Sequence, residues 1–357
     1  MGASELPGRW ASAAIARLTA EAAALPPTPL RAFPLPADWG VSLWLKDESA
    51  LPTGSLKHRA ARAMFRQAIA SGRIIEGMTV VEATGGNAAV SQAYFARLLG
   101  LPYVAVMPGA PNAARAAAVE RYGGRCEFVT PSLAIYDAAQ RLADAVGGHY
   151  LDQFTAAERA LDWRGDDVAG ELFGQVADVT GEDPDWVVVG AGTGATSASI
   201  GRHVRYHGLS TRLALVDPEN SAYFPGWASG AADYATGMPS RIEGIGRPRM
   251  EPGFIPELVD LVMPVPDAAS VAAARAVRTA TGLAVGGSTG ANLWGALHLV
   301  AGVRDRGERG TVVSLACDAA DRHLVTVHDD GWAFGAGLDP GPYAAAIQTF
   351  LDGGPWN

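Results

Sequence analysis

Cysteine is nearly absent, with Cys126 and Cys317 the two in 357 residues. Two thiols cannot build a disulfide framework or a structural zinc site. Each lies beside an apolar run, so the expectation is buried free thiols in a reducing compartment. An excess of positive charge is also missing. The 28 Lys and Arg are outnumbered by 37 Asp and Glu, for a formal net charge of −9. That excludes the basic stripe a nucleic-acid partner needs and is accounted for by solubility. No apolar run approaches a membrane-spanning length, and the opening MGASELPGRW has neither a basic nor an apolar leader region. Leu6 stands where a myristoylation signal wants Ser or Thr. These absences predict a soluble, cytoplasmic protein with no nucleic-acid and no membrane partner.

What the chain does have is small and apolar residues. Hydrophobic types make up 48% and there are 43 glycines, enough for a sizeable core and for helices packed closely on a sheet. The length suits two domains. Short β-branched runs at residues 79–84, 103–107, 126–129, 186–189, 212–216, 261–265 and 311–316 read as strands. Between them lie Ala-rich stretches of helical spacing, such as residues 88–99, where Val90, Tyr94, Phe95 and Leu98 share a face. Nearly continuous apolar strands separated by helices imply an α/β fold with parallel sheets. The prolines of residues 25–36 mark a loop. Residues 217–251, rich in Gly, Pro and aromatics, read as an irregular lid or subunit contact.

Three segments carry chemistry. Pro52-Thr53-Gly54-Ser55-Leu56-Lys57-His58-Arg59 precedes a helical pattern that Ser55 can cap. Lys57 then sits in the first turn, where the positive end of the helix dipole disfavours an ammonium, a setting suited to Schiff-base chemistry. Glu82-Ala83-Thr84-Gly85-Gly86-Asn87-Ala88 joins a strand to a helix, and its amides can receive a carboxylate. Gly190-Ala191-Gly192-Thr193-Gly194-Ala195-Thr196 does the same and has the bare backbone and hydroxyls of a phosphate cradle. Read alone, Gly190, Gly192 and Ala195 also fit G-x-G-x-x-A, with Asp217 near the offset of a ribose-binding acid, so a nicotinamide oxidoreductase stays open on these residues.

The whole chain resembles the fold-type II pyridoxal-phosphate enzymes. Lys46-Asp47-Glu48 followed by residues 52–59 resembles their lysine segment, residues 84–87 their substrate loop, and residues 192–196 their phosphate loop. Ser240-Arg241-Ile242-Glu243-Gly244-Ile245-Gly246 and Gly286-Gly287-Ser288-Thr289-Gly290 complete the series in order, from about residue 43 to 330. Within that group, residues 93–102, 162–165, 216–221 and 246–249 are most similar to bacterial cysteine desulfhydrases of the cysteine synthase and cystathionine β-synthase family. In that family the segment holding Asp217 is structural, so the ribose role is dropped.

The resemblance implies two α/β domains, a large one of residues 1–50 and 156–357 and a small one of residues 51–155, with pyridoxal 5'-phosphate in the cleft between them. It implies that Lys57 bonds the cofactor and acts as the catalytic base. Asn87, Gly192, Thr193, Gly194, Ala195, Thr196, Ser288 and Asp318 would also bind the cofactor. Thr84, Gly85, Gly86, Gln153 and Gly244 would bind the substrate, and no metal is expected. The implied reaction is β-elimination on L-cysteine or a related β-substituted alanine, through an aminoacrylate, to pyruvate, ammonia and the leaving group. The alternative is β-replacement, as in cysteine synthase. A homodimer is expected, with apolar surface offered by the N-terminal helix and by Tyr223, Phe224 and Trp227.

Departures from the family pattern stand at both ends of the implied site. Gly85 replaces the usual Ser and Ala88 the usual Thr, which removes two hydroxyls. Cys317-Asp318-Ala319-Ala320-Asp321-Arg322-His323 puts Ala319 where a small hydroxyl often meets the pyridine nitrogen. The missing hydroxyls also leave room for a binding protein that has lost turnover. His203 and His207, spaced i,i+4 without an acidic third ligand, are expected on an exposed helix face. His58 is expected on the helix surface or at the phosphate, and Trp163, Trp227, Trp294 and Trp332 as packing residues.

Overall fold

The computed structural model describes residues 8–131, 134–165, 167–238 and 240–356. In chain order its elements are α1 (Gly8–Ala23), β1 (Leu30–Phe33), β2 (Val41–Asp47), α2 (Lys57–Ala70), β3 (Val80–Ala83), α3 (Asn87–Leu99), β4 (Tyr103–Pro108), α4 (Ala113–Glu120), β5 (Arg125–Val129), α5 (Ile135–Ala145), β6 (His149–Tyr150), α6 (Gln153–Ala160), α7 (Val168–Thr180) and β7 (Trp186–Gly190). There follow α8 (Ala195–His207), β8 (Arg212–Pro218), α9 (Tyr223–Ser229), β9 (Leu261–Val265), α10 (Asp267–Thr281), α11 (Gly287–Asp305), β10 (Gly310–Ala316), α12 (Asp330–Gly335) and α13 (Gly341–Leu351). The apolar runs expected as strands are strands. Those missed are β1, β2 and the two-residue β6.

The chain divides into two compact units. One holds residues up to 27, 51–53 and 57–161, and the other holds 28–50, 54–56 and 162 onward. The smaller unit has a four-stranded parallel sheet in the order β5-β4-β3-β6. Strands alternate their side chains between faces, and Val81, Ala83, Val104 and Val106 share one core with Ile135, Ala139 and Ala143 of α5. The helices α1, α2 and α3 pack on one another. The sequence expectation had placed residues 1–50 in the larger domain. The structure moves α1 to the smaller unit, because Glu21 on α1 bonds His58 and Arg62 of α2.

The larger unit has a six-stranded sheet in the order β1-β2-β10-β7-β8-β9, parallel except for β1. Val187 and Val189 join a core with α7 and α8, whereas Val188 joins the core of α10 and α11. Adjacent residues of one strand thus serve opposite cores, which is why these strands read as continuous apolar runs. Lys46, at the end of β2, is fully buried, where it donates to the Thr28 carbonyl at 2.7 Å, to Gln175 and to Glu171. Cys317 is buried and Cys126 half-buried, both as free thiols. No helix among the described residues is long and apolar enough to cross a membrane.

Candidate active site

In the larger unit the implied site residues gather at the carboxyl ends of the parallel strands, where such sheets bind ligands. β7 ends at Gly190, and residues 190–194 turn directly into α8. Gly194 adopts the left-handed region at φ +79°, and a Cβ there would lie 2.1 Å from the Gly253 carbonyl oxygen. Only glycine meets both conditions. The Tyr223 hydroxyl donates to the Gly192 carbonyl at 2.6 Å, which braces the turn from α9. Residues 240–246 lie against the same turn, since Gly246 N donates to Ala191 O at 2.8 Å. A Cβ on Gly190 would come within 2.7 Å of Ile245.

The segment after β10 adds the rest. Ser55 and Asp318 form an isolated antiparallel bridge, and Leu56 N donates to Cys317 O at 2.9 Å. Asp318 is buried, and its Oδ2 accepts from Arg322 at 2.9 Å and pairs with His323 Nε2 at 3.0 Å. A Cβ on Gly286 would sit 2.8 Å from Asp318 Oδ1, so the start of α11, with buried Ser288, packs directly against this carboxyl. Ala319 bridges Val285. Glu243, beside exposed Gly244, lies 3.7 Å from Arg322. Gly192, Thr193, Gly194, Ala195, Thr196, Gly244, Ser288 and Asp318 therefore belong to one end of one sheet.

Asp217 does not reach out from that end. It is buried, and its Oδ2 accepts from Phe224 N at 2.7 Å. Burial pushes its carboxyl up to about 6, against the opposing hydrogen bonds from Ser221 and Phe224. It caps a turn, which removes the ribose-binding role that a dinucleotide site would require.

In the smaller unit, Lys57 is the first residue of α2 and half-buried. Next to it, His58 is fully buried between Tyr94 and Phe95 rather than on a surface or at a phosphate. Its Nε2 faces Glu21 at 2.8 Å and its Nδ1 faces the Thr53 hydroxyl at 3.3 Å. Burial pulls this imidazole below its usual range, although Glu21 opposes the shift. A neutral ring donating to Glu21 and accepting from Thr53 fits that direction.

The turn after β3 holds Thr84, Gly85, Gly86 and, at the start of α3, Asn87. Thr84 is buried and its N–H donates to Val106 O at 2.9 Å. Gln153, first in α6, is buried and donates from Nε2 to Ala83 O at 3.1 Å, so it stands beside this turn. Thr84, Gly85, Gly86, Asn87 and Gln153 thus lie about one turn of the smaller unit. Behind them sits Glu82, a fully buried acid that sequence reasoning left without a role. The available signal was a lone charge inside the apolar run Val80-Val81-Glu82-Ala83. Burial pushes its carboxyl up to about 8.

A second overlooked signal is plainer. The 357 residues contain two lysines, Lys46 and Lys57. Lys46 is fully buried in an ion pair with Glu171, and Lys57, half-buried at the start of α2, is the other side-chain amine. The donor set fits pyridoxal phosphate. Amides and two threonine hydroxyls at the start of a thirteen-residue helix suit a phosphate ester, and a half-buried lysine suits its aldehyde.

The other expectations divide. His203 is buried and stacked on Phe173 at 4.9 Å with Nδ1 3.3 Å from Trp163 O, so the exposed-face reading fails for it. Among the described residues no group of three or more His, Cys, Asp and Glu could hold a metal. The indoles pack as expected. Trp294 meets Tyr343 and Trp356, Trp227 and Trp332 lie on the two cores, and Trp163 carries the Arg164 guanidinium at 4.1 Å. Tyr223 is fully buried, and Phe224 and Trp227 are half-buried against the core. Large apolar side chains stand exposed elsewhere, at Val325 and Phe334.

Comparison with known proteins finds a matching family and several relatives. A family model described as pyridoxal-phosphate dependent enzyme matches residues 22–318. L-cysteine desulfhydrase Cds1 of Mycobacterium tuberculosis (strain ATCC 25177 / H37Ra) is 51% identical over 346 residues, covering 96% of this chain and 94% of that one. Cysteine synthase B of Escherichia coli (strain K12) is 28% identical, covering 84% and 93%. Among solved structures, that of O-ureido-L-serine synthase superposes with a TM-score of 0.72 at 25% identity, covering 90% and 96%.

Proposed function

The chain belongs to the pyridoxal-phosphate dependent enzymes, and we propose that it catalyses β-elimination on L-cysteine, with water as co-substrate, to pyruvate, ammonia and sulfide. The observation that carries this reading is identity of 51% to a cysteine desulfhydrase along 96% of the chain, with Lys57 inside residues 22–318 that the family model matches. Gly192, Thr193, Gly194, Ala195 and Thr196 would hold the phosphate. Asn87 would meet the ring's phenolic oxygen, and Ser288 and Asp318 would stand at the ring's far end. Thr84, the amides of Gly85 and Gly86, Gln153 and Gly244 would hold the substrate, its carboxylate at the turn after β3. When bound, the cofactor supplies the electron sink that makes the substrate's α-proton acidic. With cofactor and substrate in place, the Lys57 amine would accept the α-proton as general base. Loss of the β-sulfur follows, and water completes the release of pyruvate and ammonia.

The purified protein should be yellow and should lose its cofactor band and its turnover in Lys57→Ala. Borohydride reduction followed by peptide mapping should label Lys57. With two lysines in the chain, a label on Lys46 would overturn the assignment, and a bound nicotinamide in place of the band would overturn the chemistry. The likeness to cysteine synthase B favours β-replacement as the second reading. Mass spectrometry of products from L-cysteine, O-acetylserine and O-phosphoserine, each with and without a thiol, separates the two. Elimination gives pyruvate throughout, whereas replacement gives a new β-substituted alanine. We further read the enzyme as a cytoplasmic homodimer, supported by exposed Val325 and Phe334. A monomer by light scattering at micromolar concentration would refute the dimer.

A further inference from the structure

Glu82 is the penultimate residue of β3, and each of its carboxyl oxygens is engaged. Oε1 accepts from Ala83 N at 2.9 Å. Oε2 accepts from Gln92 Nε2 at 2.9 Å and from Gln153 N at 3.2 Å. Behind Gln92, the Tyr103 hydroxyl donates to Gln92 Oε1 at 2.8 Å. The three donors come from three elements. Ala83 leads into the turn with Thr84, Gly85 and Gly86; Gln92 lies on α3, which starts at Asn87; Gln153 starts α6. The residue before α6, Asp152, makes no side-chain cap and holds the left-handed conformation at φ 50°. The first N–H of a helix normally goes to its own cap or to water. Here it goes to an acid delivered from a strand 71 residues away.

We propose that Glu82 is the positioning residue of the substrate-carboxylate subsite, a single buried carboxyl that fixes the 84–87 turn and Gln153 relative to each other before substrate binds. The inference rests on the proposed reading of those residues as the carboxylate subsite. The requirement for an acid is specific. Whatever its proton, both oxygens of a carboxyl keep lone pairs, whereas an amide nitrogen has none to offer. In Glu82→Gln, the new amide can be accommodated beside Gln92 if Gln92 turns over, since the Tyr103 hydroxyl can accept as well as donate. No such adjustment serves a backbone N–H. The variant keeps the volume and the Ala83 contact and leaves Gln153 N facing a donor.

The test is spectrophotometric titration of holoenzyme with L-alanine, which has the carboxylate but no β-leaving group, and with L-alaninamide, which lacks the carboxylate. Glu82→Gln should weaken L-alanine binding by about tenfold, the scale of one buried donor left unmatched, with L-alaninamide binding and the cofactor band unchanged. KM for L-cysteine should rise by the same factor while kcat stays within about threefold. A purely structural role would move both ligands together or neither, and either result overturns the proposal. Gln153→Leu, run in parallel, reports on the subsite itself. Selective loss of L-alanine there with none in Glu82→Gln overturns the positioning role alone. No selective loss in either places the carboxylate elsewhere and overturns both. If Glu82→Gln yields no folded holoenzyme, Glu82→Asp keeps the carboxyl but shortens the arm by one methylene, and the same selective loss is expected of it.

Discussion

Two strand-to-helix turns in this chain look alike as sequence and differ in what fixes them. Residues 190–194 leave β7 and residues 84–86 leave β3, each rich in glycine and each opening a thirteen-residue helix. At Gly194 the backbone decides: φ is +79° and a Cβ would overlap the Gly253 carbonyl. At Gly85 it does not. No left-handed φ is required, and a Cβ would sit 3.4 Å from the Pro108 ring, ordinary contact. Gly194 is therefore a demand of the fold, whereas Gly85 is not. The supports differ in kind as well. The β7 turn is held by main-chain packing and one phenol, the β3 turn by a buried acid that gathers three N–H groups.

The sharpest way to break this contrast is at Gly194. A non-glycine residue in the left-handed region costs about 1–2 kcal/mol, and overlap with backbone adds about 1–3 kcal/mol. Gly194→Ala should weaken cofactor binding by roughly thirtyfold or more. Gly194→Asp should weaken it further, because its carboxylate would face the phosphate. Equilibrium dialysis against pyridoxal phosphate measures both. Normal retention in Gly194→Asp would show that the phosphate binds elsewhere.

Behind the other turn, Glu82 predicts a pH effect. Its folded pKa of about 8 lies above the ordinary value of 4.5, chiefly through burial, with Asp152 adding to the rise. The unfolded chain therefore releases this proton at lower pH than the folded one. The associated stability is complete below about pH 4.5 and is lost as pH rises toward 8. Between those limits the slope approaches one proton, about 1.4 kcal/mol per pH unit. Denaturant titrations of wild type and Glu82→Gln at pH 5, 6, 7 and 8 should show the difference in stability narrowing as pH rises. A constant difference would show that Glu82 keeps one protonation state throughout.

The same two turns show what sequence could and could not disclose. Both were legible as strand-to-helix turns, because strand, glycine and helix are contiguous, and the apolar strands that carry them declare themselves. Their supports were not. Tyr223 braces Gly192 from 31 residues away and Gln153 meets Glu82 from 71 away, and no local pattern encodes such pairings. The same limit misplaced α1, whose membership is decided by the Glu21–His58 contact across 37 residues. β2 escaped notice because it ends in Lys46 and Asp47, charges that look like a loop until Glu171 and Arg31 are seen to pair with them. β1 escaped because prolines precede it and it forms the antiparallel edge.

The smallest effect tests whether the β3 turn is tunable as the contrast implies. Gly85 and Ala88 lack the hydroxyls usual in the resembling family, so under the proposed reading carboxylate capture would fall to Thr84, the amides opening α3, and Gln153. Amides are preorganised and the helix dipole assists them, so capture should survive the loss. Each neutral hydrogen bond restored is worth about 0.5–1.5 kcal/mol, so Gly85→Ser with Ala88→Thr should lower KM for L-cysteine by about tenfold. The Gly85 position has room, since its added Cβ meets only the edge of Pro108 at 3.4 Å. The fall should appear in KM, with kcat nearly unchanged, because a carboxylate held equally in ground and transition states contributes uniform binding. Lower kcat with a poorer KM would mean that the turn is shaped for a larger or differently charged amino acid, which the new hydroxyls crowd. Steady-state kinetics on L-cysteine and O-acetylserine distinguish these outcomes, and identical constants in variant and wild type would remove residues 84–88 from the carboxylate site.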